Sequence, residues 1–361
     1  MNIAIVTNKP YATCETFIKA QIDKLPFICM QYWVKEAPFV SKTKNKSVVG
    51  RVVSKMHSAK DTSATRIVNE LKQQNIDVVL AQYGMIGTLM TEACSILNLP
   101  LVVHFHGHDA VRKSVLEKYG ERYTKMFAYV KTTVVSVSHE MTRRLVALGC
   151  PEDKIRYNTY GPADSFLEVQ PTYASQQFVF IGRFVEKKAP HLLLLAFSKV
   201  LVEFPDAQLV CAGDGPLLDS SKDLAHALGM NDSVDFVGRI NHATFKEQLR
   251  NSIAYVQHSV EAIDGDMEGT PVSILEASGA GLAVISTTHA GIPDVIVHEK
   301  TGLLCNERDA DAMAQHMLQV LRHPDEAKAM GVAGKNHIAK NFSQKTHLEG
   351  LTTIIKEAST H

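Results

Sequence analysis

Short apolar runs alternate with helical stretches along the whole chain, and that alternation restricts the fold more than any other feature. In the first half the runs are 2–6, 77–81, 101–105 and 132–137; in the second half they are 178–182, 207–212, 234–237, 254–257 and 282–286. Helical patterns such as 63–74, 191–203 and 309–322 lie between them. Strands that alternate with helices imply parallel sheets joined by crossover helices, hence an α/β protein. At 361 residues, and with about 100–200 residues per domain, two such domains are expected. The polar segment from Ala163 to Gln177, which holds Pro171, is the expected linker. It separates a first domain over 1–165 from a second over 172–342, with a further helix beginning at residue 343.

Composition narrows the class. Hydrophobic residues make up 45% of the chain and aromatic ones 7%, which fits an α/β protein with a sizeable core. The 6 cysteines are scattered without CxxC spacing. That argues against a zinc cluster or a disulfide framework and fits a reducing cytoplasm. Met1 runs directly into the apolar run 2–6, so no secretory signal is expected, and no apolar stretch is long enough to span a bilayer. The net charge of zero conceals an asymmetry: residues 1–170 hold 22 Lys and Arg against 15 Asp and Glu, and the remainder hold 16 against 23. Positive charge is concentrated in 41–60, SKTKNKSVVGRVVSKMHSAK. One reading is a solvated loop and helix face; the other is contact with an anionic membrane surface or a phosphate-linked acceptor.

Residues 268–276 read EGTPVSILE, two glutamates with a Gly-Thr-Pro turn after the first. Pro271 suits the first turn of a helix, where its missing N–H costs nothing. The free N–H groups of that turn, those of Val272 and Ser273 among them, would face a phosphate. Glu268 would then stand in front of the helix and Glu276 about two turns along it. A carboxylate on each side of a diphosphate suits a nucleotide sugar, one gripping sugar hydroxyls and the other ribose hydroxyls. An ordinary capped helix with an exposed Glu at each end explains the same nine residues. The following sequence favours the ligand: Leu282 to Ser286 reads as a buried strand and Ala290 to Asp294 as the turn at its C-terminal end, and open α/β sheets bind ligands outside such strand ends.

This stretch, 264–304, resembles the donor-binding core of retaining glycosyltransferases of family 4, which have the GT-B fold, and the polysaccharide-assembly members in particular. The family's glutamate pair maps onto Glu268 and Glu276. Ala283 stands where proline is common and Asp294 where Glu is common. A second match lies at the end of the strand 178–182. Arg183 and Lys188 flank a strand-to-helix turn and could clamp a diphosphate, the first as a planar fork and the second as a point charge; ordinary surface charges would look the same. Their spacing is similar to the family's Arg-x4-Lys donor motif. Gly213-Asp214-Gly215-Pro216 is a glycine turn where backbone could approach a nucleotide closely.

His104, His106 and His108 alternate after the strand 101–105, with Asp109 next. Alternate residues of an extended segment lie about 6–7 Å apart, which argues against one shared metal ion. The resemblance assigns His106, in its His-Gly-x-Asp context, to the donor sugar, and leaves His104 as a strand histidine. At the end of the first strand many family members carry a Gly-Gly pair that this chain lacks. Cys14-Glu15-Thr16-Phe17 resembles instead the Ser-Glu-Thr-Phe element of some polysaccharide-assembly members, on the acceptor side; a helix cap is the other reading. The GxGxxG spacing of a dinucleotide-dependent oxidoreductase is absent after the first strand and at 213–216.

The resemblance implies two Rossmann-like doubly wound domains facing a central cleft, with the acceptor at the first and the donor at the second. The C-terminal helix over 343–361 would cross back to the first domain. The implied activity is transfer of a sugar, with retention, from a nucleoside-diphosphate sugar to a hydroxyl of a glycan or lipid-linked acceptor, a UDP-sugar being favoured over a GDP-sugar. His106, Glu268, Arg183 and Lys188 would be catalytic. Gly182, Gly215, Thr270, Val272, Ser273 and Glu276 would bind the donor, and Glu15 and Thr16 would face the acceptor. No metal, further cofactor or nucleic acid is expected, and the protein would be cytoplasmic, with weak contact to the anionic membrane face through its first domain. A phosphorylase or hydrolase on the same fold, or a non-catalytic sugar-nucleotide-binding protein, are the competing readings.

Overall fold

The computed structural model describes residues 1–8, 16–34, 39–42 and 63–360. Two compact units are present. The first comprises Met1–Val137, Met141–Asn158 and Leu348–His361, and the second Ser138–Glu140 and Thr159–His347.

The first unit contains β1 (Asn2–Thr7), β2 (Ile28–Val34), β3 (Phe39–Lys42), β4 (Val78–Gln82), β5 (Leu101–His104), β6 (Thr132–Ser136) and β7 (Ile155–Tyr157). They form one sheet in the order β3-β2-β1-β4-β5-β6-β7. All pairs are parallel except the edge pair β2–β3. β1 and β4 are buried on both faces, which is why they read as continuous apolar runs. On one face Ile3, Ile5, Val78, Leu80, Val102 and Val135 meet Leu351, Ile354 and Ile355 of the C-terminal helix Gln344–Thr360.

The second unit contains β8 (Gln177–Ile181), β9 (Gln208–Ala212), β10 (Val234–Gly238), β11 (Ala254–Val256), β12 (Ala283–Thr287) and β13 (Gly302–Cys305). These lie in the order β10-β9-β8-β11-β12-β13, all parallel. The order reverses between β8 and β11, and such a switch point opens a crevice for a ligand at the carboxyl ends of the two strands. The core beneath it includes Phe178, Phe180, Phe184, Leu209, Val256 and Ile285.

Four strands escape the sequence pattern. β2 (ICMQYWV) and β3 are mixed in polarity, and β7 and β13 are short. The unit boundary falls at Asn158/Thr159 rather than at residue 165. The segment expected as a linker is docked on the second unit: the Tyr173 hydroxyl donates to the Gly281 carbonyl, and Lys335 Nζ donates to the Val169 carbonyl at 2.8 Å. Ser138–Glu140 also counts with the second unit, where the His139 N–H donates to Asp294 Oδ2 at 2.8 Å. Among the described residues no helix is long and apolar enough to cross a membrane.

Candidate active site

The loops that leave β8 and β11 carry most of the residues singled out in the sequence. After β8 the chain makes a 3-10 turn, Glu186–Lys188, then Ala189 with φ 36° and the helix Pro190–Val200, with Pro190 in its first turn. This sharp turn buries both lysines. Lys187 Nζ donates to Asp266 Oδ1 at 3.0 Å and to the Met267 carbonyl at 2.9 Å, which ties the turn to the loop before Glu268. Lys188 Nζ lies 2.8 Å from Glu268 Oε1 and donates to Gln257 Oε1 at 2.9 Å.

The two side chains of that ion pair are 10% and 9% exposed. Burial pushes the Glu268 pKa up, but the charges of Lys188 and Lys187 outweigh it and bring the pKa down to about 2. Burial likewise lowers the Lys188 pKa, against the pull of Glu268. At that distance the ammonium and Glu268 Oε1 are joined by charge and by a side-chain hydrogen bond together. Arg183, five positions before Lys188, is exposed and has no ion pair or side-chain hydrogen bond among the described residues.

The helix Val272–Ala280 follows, with Pro271 at its N-cap, one position earlier than the sequence pattern suggests. The first helical amides that find an acceptor are Ile274 and Leu275, both on the Pro271 carbonyl. Those of Val272 and Ser273 donate to no group among the described residues. The Ser273 hydroxyl is not equally available, because the Tyr255 hydroxyl stands 2.8 Å away. Tyr255 lies in β11 with its hydroxyl 3.0 Å from Gln257 Oε1, so Lys188, Gln257, Tyr255 and Ser273 form one buried polar chain. Thr270 is buried just before the helix. Glu276 is 6% exposed and makes no ion pair or side-chain hydrogen bond among the described residues; burial alone raises its pKa to about 8.

Gly182 ends β8 beside Lys188. Gly215 has φ 146°, and a Cβ there would stand 2.5 Å from the Phe184 carbonyl oxygen. The glycine is therefore required by the neighbouring backbone, whatever a ligand adds.

His106 belongs to the first unit. Its Nε2 lies 2.9 Å from Gln82 Oε1, and Gln82 Nε2 donates to Gln21 Oε1 at 2.6 Å. The amide order in Gln82 makes His106 Nε2 the donor. Asp109 holds the turn after β5, accepting from the N–H groups of His106, Gly107 and Gly84 at 3.0, 2.9 and 2.9 Å. Tyr83, with φ 75° and ψ 141°, packs its ring edge on the His106 ring at 4.5 Å. Phe17 lies 4.9 Å from the same ring. His104 is fully buried beneath them. Thr16 opens the helix Thr16–Lys24; Glu15 and most of 41–60 lie outside the described residues.

Sequence reasoning missed Lys187, Tyr255, Gln257, His289 and Glu307. The one available signal was the polar tail Gln257-His258-Ser259 after the short apolar strand β11.

The chain is similar to known proteins. Family profiles match residues 41–157, for Glycosyltransferase Family 4, and 171–337, for Glycosyl transferases group 1. The chain is 27% identical over 285 residues to the amylovoran biosynthesis glycosyltransferase AmsK of Erwinia amylovora, covering 78% of this chain and 70% of that protein. It is 28% identical over 282 residues to the GDP-mannose-dependent alpha-(1-6)-phosphatidylinositol monomannoside mannosyltransferase of Mycobacterium tuberculosis, covering 70% and 68%. In fold it matches Anabaena HepE, solved in complex with UDP, at TM-score 0.80 and 14% identity over 99% of this chain and 100% of that one. With both family profiles matched and the fold shared with solved glycosyltransferases, the chain belongs to the family 4 glycosyltransferases and has their GT-B fold.

Proposed function

We propose that this glycosyltransferase moves a sugar from a nucleoside-diphosphate sugar to a hydroxyl acceptor with retention and without a metal ion. The acceptor is a growing polysaccharide or a lipid-linked glycan. The observation that carries this reading is the buried Lys188–Glu268 pair, placed at the β8/β11 switch point in front of the two unpartnered amides of Val272 and Ser273. An ionised carboxylate has more accepting positions than the one Lys188 takes, which suits sugar hydroxyls. A cation beside free helix amides suits the diphosphate. Glu276, within the same helix, suits the ribose hydroxyls. Arg183 is exposed and uncommitted, and it reaches the diphosphate once donor is bound.

In the reaction the bond from the anomeric carbon to the diphosphate breaks, and a bond to the acceptor oxygen forms on the same face. The leaving phosphate oxygen takes the acceptor's proton, so no protein nucleophile is used. Lys188, Arg183 and the helix amides stabilise the charge that grows on the diphosphate. The family resemblance assigns His106 to the donor sugar, and Gln82 sets the direction of its ring proton. The activities of the relatives support polysaccharide or glycolipid assembly. The basic stretch 41–60 supports work at the cytoplasmic membrane face.

A thermal-shift screen against UDP-, GDP- and ADP-sugars, followed by product analysis with and without a lipid-linked acceptor, tests the proposal. The expected result is stabilisation by one nucleotide class and acceptor-dependent, EDTA-resistant transfer. Release of free sugar or sugar phosphate alone would favour a hydrolase or phosphorylase, and a chelator-sensitive activity restored by a divalent ion would remove the metal-free mechanism.

A further inference from the structure

Glu268 is held from behind by two side chains that the donor motifs do not include. Two residues beyond β12, His289 is fully buried. Its Nε2 accepts the Glu268 backbone N–H at 3.1 Å. A backbone amide is a donor in every state, so Nε2 carries no proton and the ring proton sits on Nδ1. Nδ1 donates it to Glu307 Oε1 at 2.6 Å.

Glu307, two residues beyond β13, is itself anchored. Its Oε2 accepts the Glu261 N–H at 2.9 Å and lies 3.4 Å from the Arg308 guanidinium. Burial works to raise its pKa, but these hydrogen bonds and neighbouring charges hold it below the usual carboxylate range. Glu307 therefore remains an acceptor, and the order carboxylate, imidazole, amide is fixed in one direction. Two residues after His289, the Gly291 N–H donates to the carbonyl of Gly269, the residue after Glu268, at 3.0 Å. A Cβ on Gly291 would come within 2.4 Å of both that oxygen and Thr270 Oγ1. The main chain at Glu268 and Gly269 is thus pinned at two successive residues by the loop after β12.

We infer that His289 and Glu307 are positioning residues for Glu268, setting the backbone from which its carboxylate reaches both Lys188 and the donor sugar. The inference rests on the reading of Glu268 as the sugar-binding carboxylate. An outer partner that orients a working group through its other ring nitrogen has an effect on turnover larger than its effect on binding remote from that group. The dyad touches Glu268 and makes no contact with the helix amides of Val272 and Ser273, so loss of the dyad should separate turnover from nucleotide affinity.

The test uses His289→Phe, which removes both hydrogen bonds; His289→Gln, whose amide oxygen can replace Nε2 as acceptor; and Glu307→Ala. For each, kcat is measured with the active donor and Kd by calorimetry with the matching nucleoside diphosphate. Amide hydrogen exchange is followed in the peptide containing Glu268. The expected outcome for His289→Phe is a kcat lowered by roughly tenfold or more, an unchanged nucleoside diphosphate Kd and faster exchange at Glu268. His289→Gln recovers much of both kcat and protection, and Glu307→Ala falls between. Parallel losses of kcat, nucleotide affinity and Tm with no recovery in His289→Gln would reduce the dyad to a general brace and overturn the inference, as would normal turnover in His289→Phe. Should His289→Phe fail to fold, the Gln and Ala variants carry the comparison. A wild-type protein without transferase activity would refute the underlying reading alone, because the exchange measurement still decides whether His289 holds the Glu268 amide.

Discussion

Arg183 and Lys188 carry the same charge five positions apart, but burial gives them different roles. Arg183 is exposed and makes no ion pair or side-chain hydrogen bond among the described residues. Arg183→Ala should therefore cut turnover while leaving the melting temperature near wild type. Lys188 is the partner of a buried carboxylate, and removing one member of such a pair costs about 3–5 kcal/mol because the other charge is stranded. Lys188→Ala should lower both turnover and Tm, whereas Lys188→Met combined with Glu268→Gln should recover stability without activity. Equal Tm losses for Arg183→Ala and Lys188→Ala would contradict this division. Glu276 makes a pH prediction. Its folded-state pKa is raised by burial to about 8 from an ordinary 4.5. Its protonated form is therefore the stabilising one: the contribution is complete below about 4.5 and is lost as pH rises through about 8. At roughly 1.4 kcal/mol per pKa unit, Glu276→Gln should melt higher than wild type at pH 8.5, with the gap closing toward pH 5. A pH-independent gap would mean that the carboxyl is not held in a low-polarity site. The residue types at these positions are legible from the motifs, but their burial is not, since it depends on which loops fold over them.

At the scale of elements, the start of the helix Val272–Ala280 joins sequence most directly to chemistry. Pro271 at the N-cap has φ −64° and ψ 118°, the extended conformation that a residue before proline also adopts. A proline at the first helical position fits a helix. Val272→Pro should thus fold normally while deleting one amide. If that amide binds the diphosphate, nucleotide affinity should fall by roughly tenfold or more, the size of a charge-assisted hydrogen bond. Unchanged affinity, measured by calorimetry, would move the diphosphate away from this helix end. The strand β8, the turn after it and this helix could all be placed from apolar runs and proline positions. The edge strand β3 and its neighbour β2 could not, because both mix polar and apolar residues.

Across the whole molecule the charge is divided, with residues 1–170 basic and the remainder acidic. On the proposed reading the anionic donor binds in the acidic half, held by local groups such as Lys188, Arg183 and the helix amides. The excess positive charge of the first half is then available for an anionic surface. At about 1 kcal/mol per basic residue near a membrane, the lysines of 41–60 would supply weak, salt-sensitive recruitment. Liposome co-sedimentation should show pelleting with anionic vesicles at low salt that fades as screening increases. Equal, negligible pelleting with neutral and anionic vesicles would favour a soluble acceptor.

The sequence by itself determined the alternation of strands and helices, the two parallel sheets and the residues of the donor motifs. These depend on local properties: apolar runs, turn residues and spacing along a helix. The family resemblance already implied that the last helix returns to the first domain; only the tertiary structure decided that Leu351, Ile354 and Ile355 are the residues that complete its core, and that the Ala163 to Gln177 segment packs onto the second unit. It also decided that Lys188 faces Glu268 and that His289 and Glu307 stand behind it. Those contacts join residues far apart in the chain, at the ends of β8, β11, β12 and β13. Strand order brings these ends together, and no local pattern encodes that order.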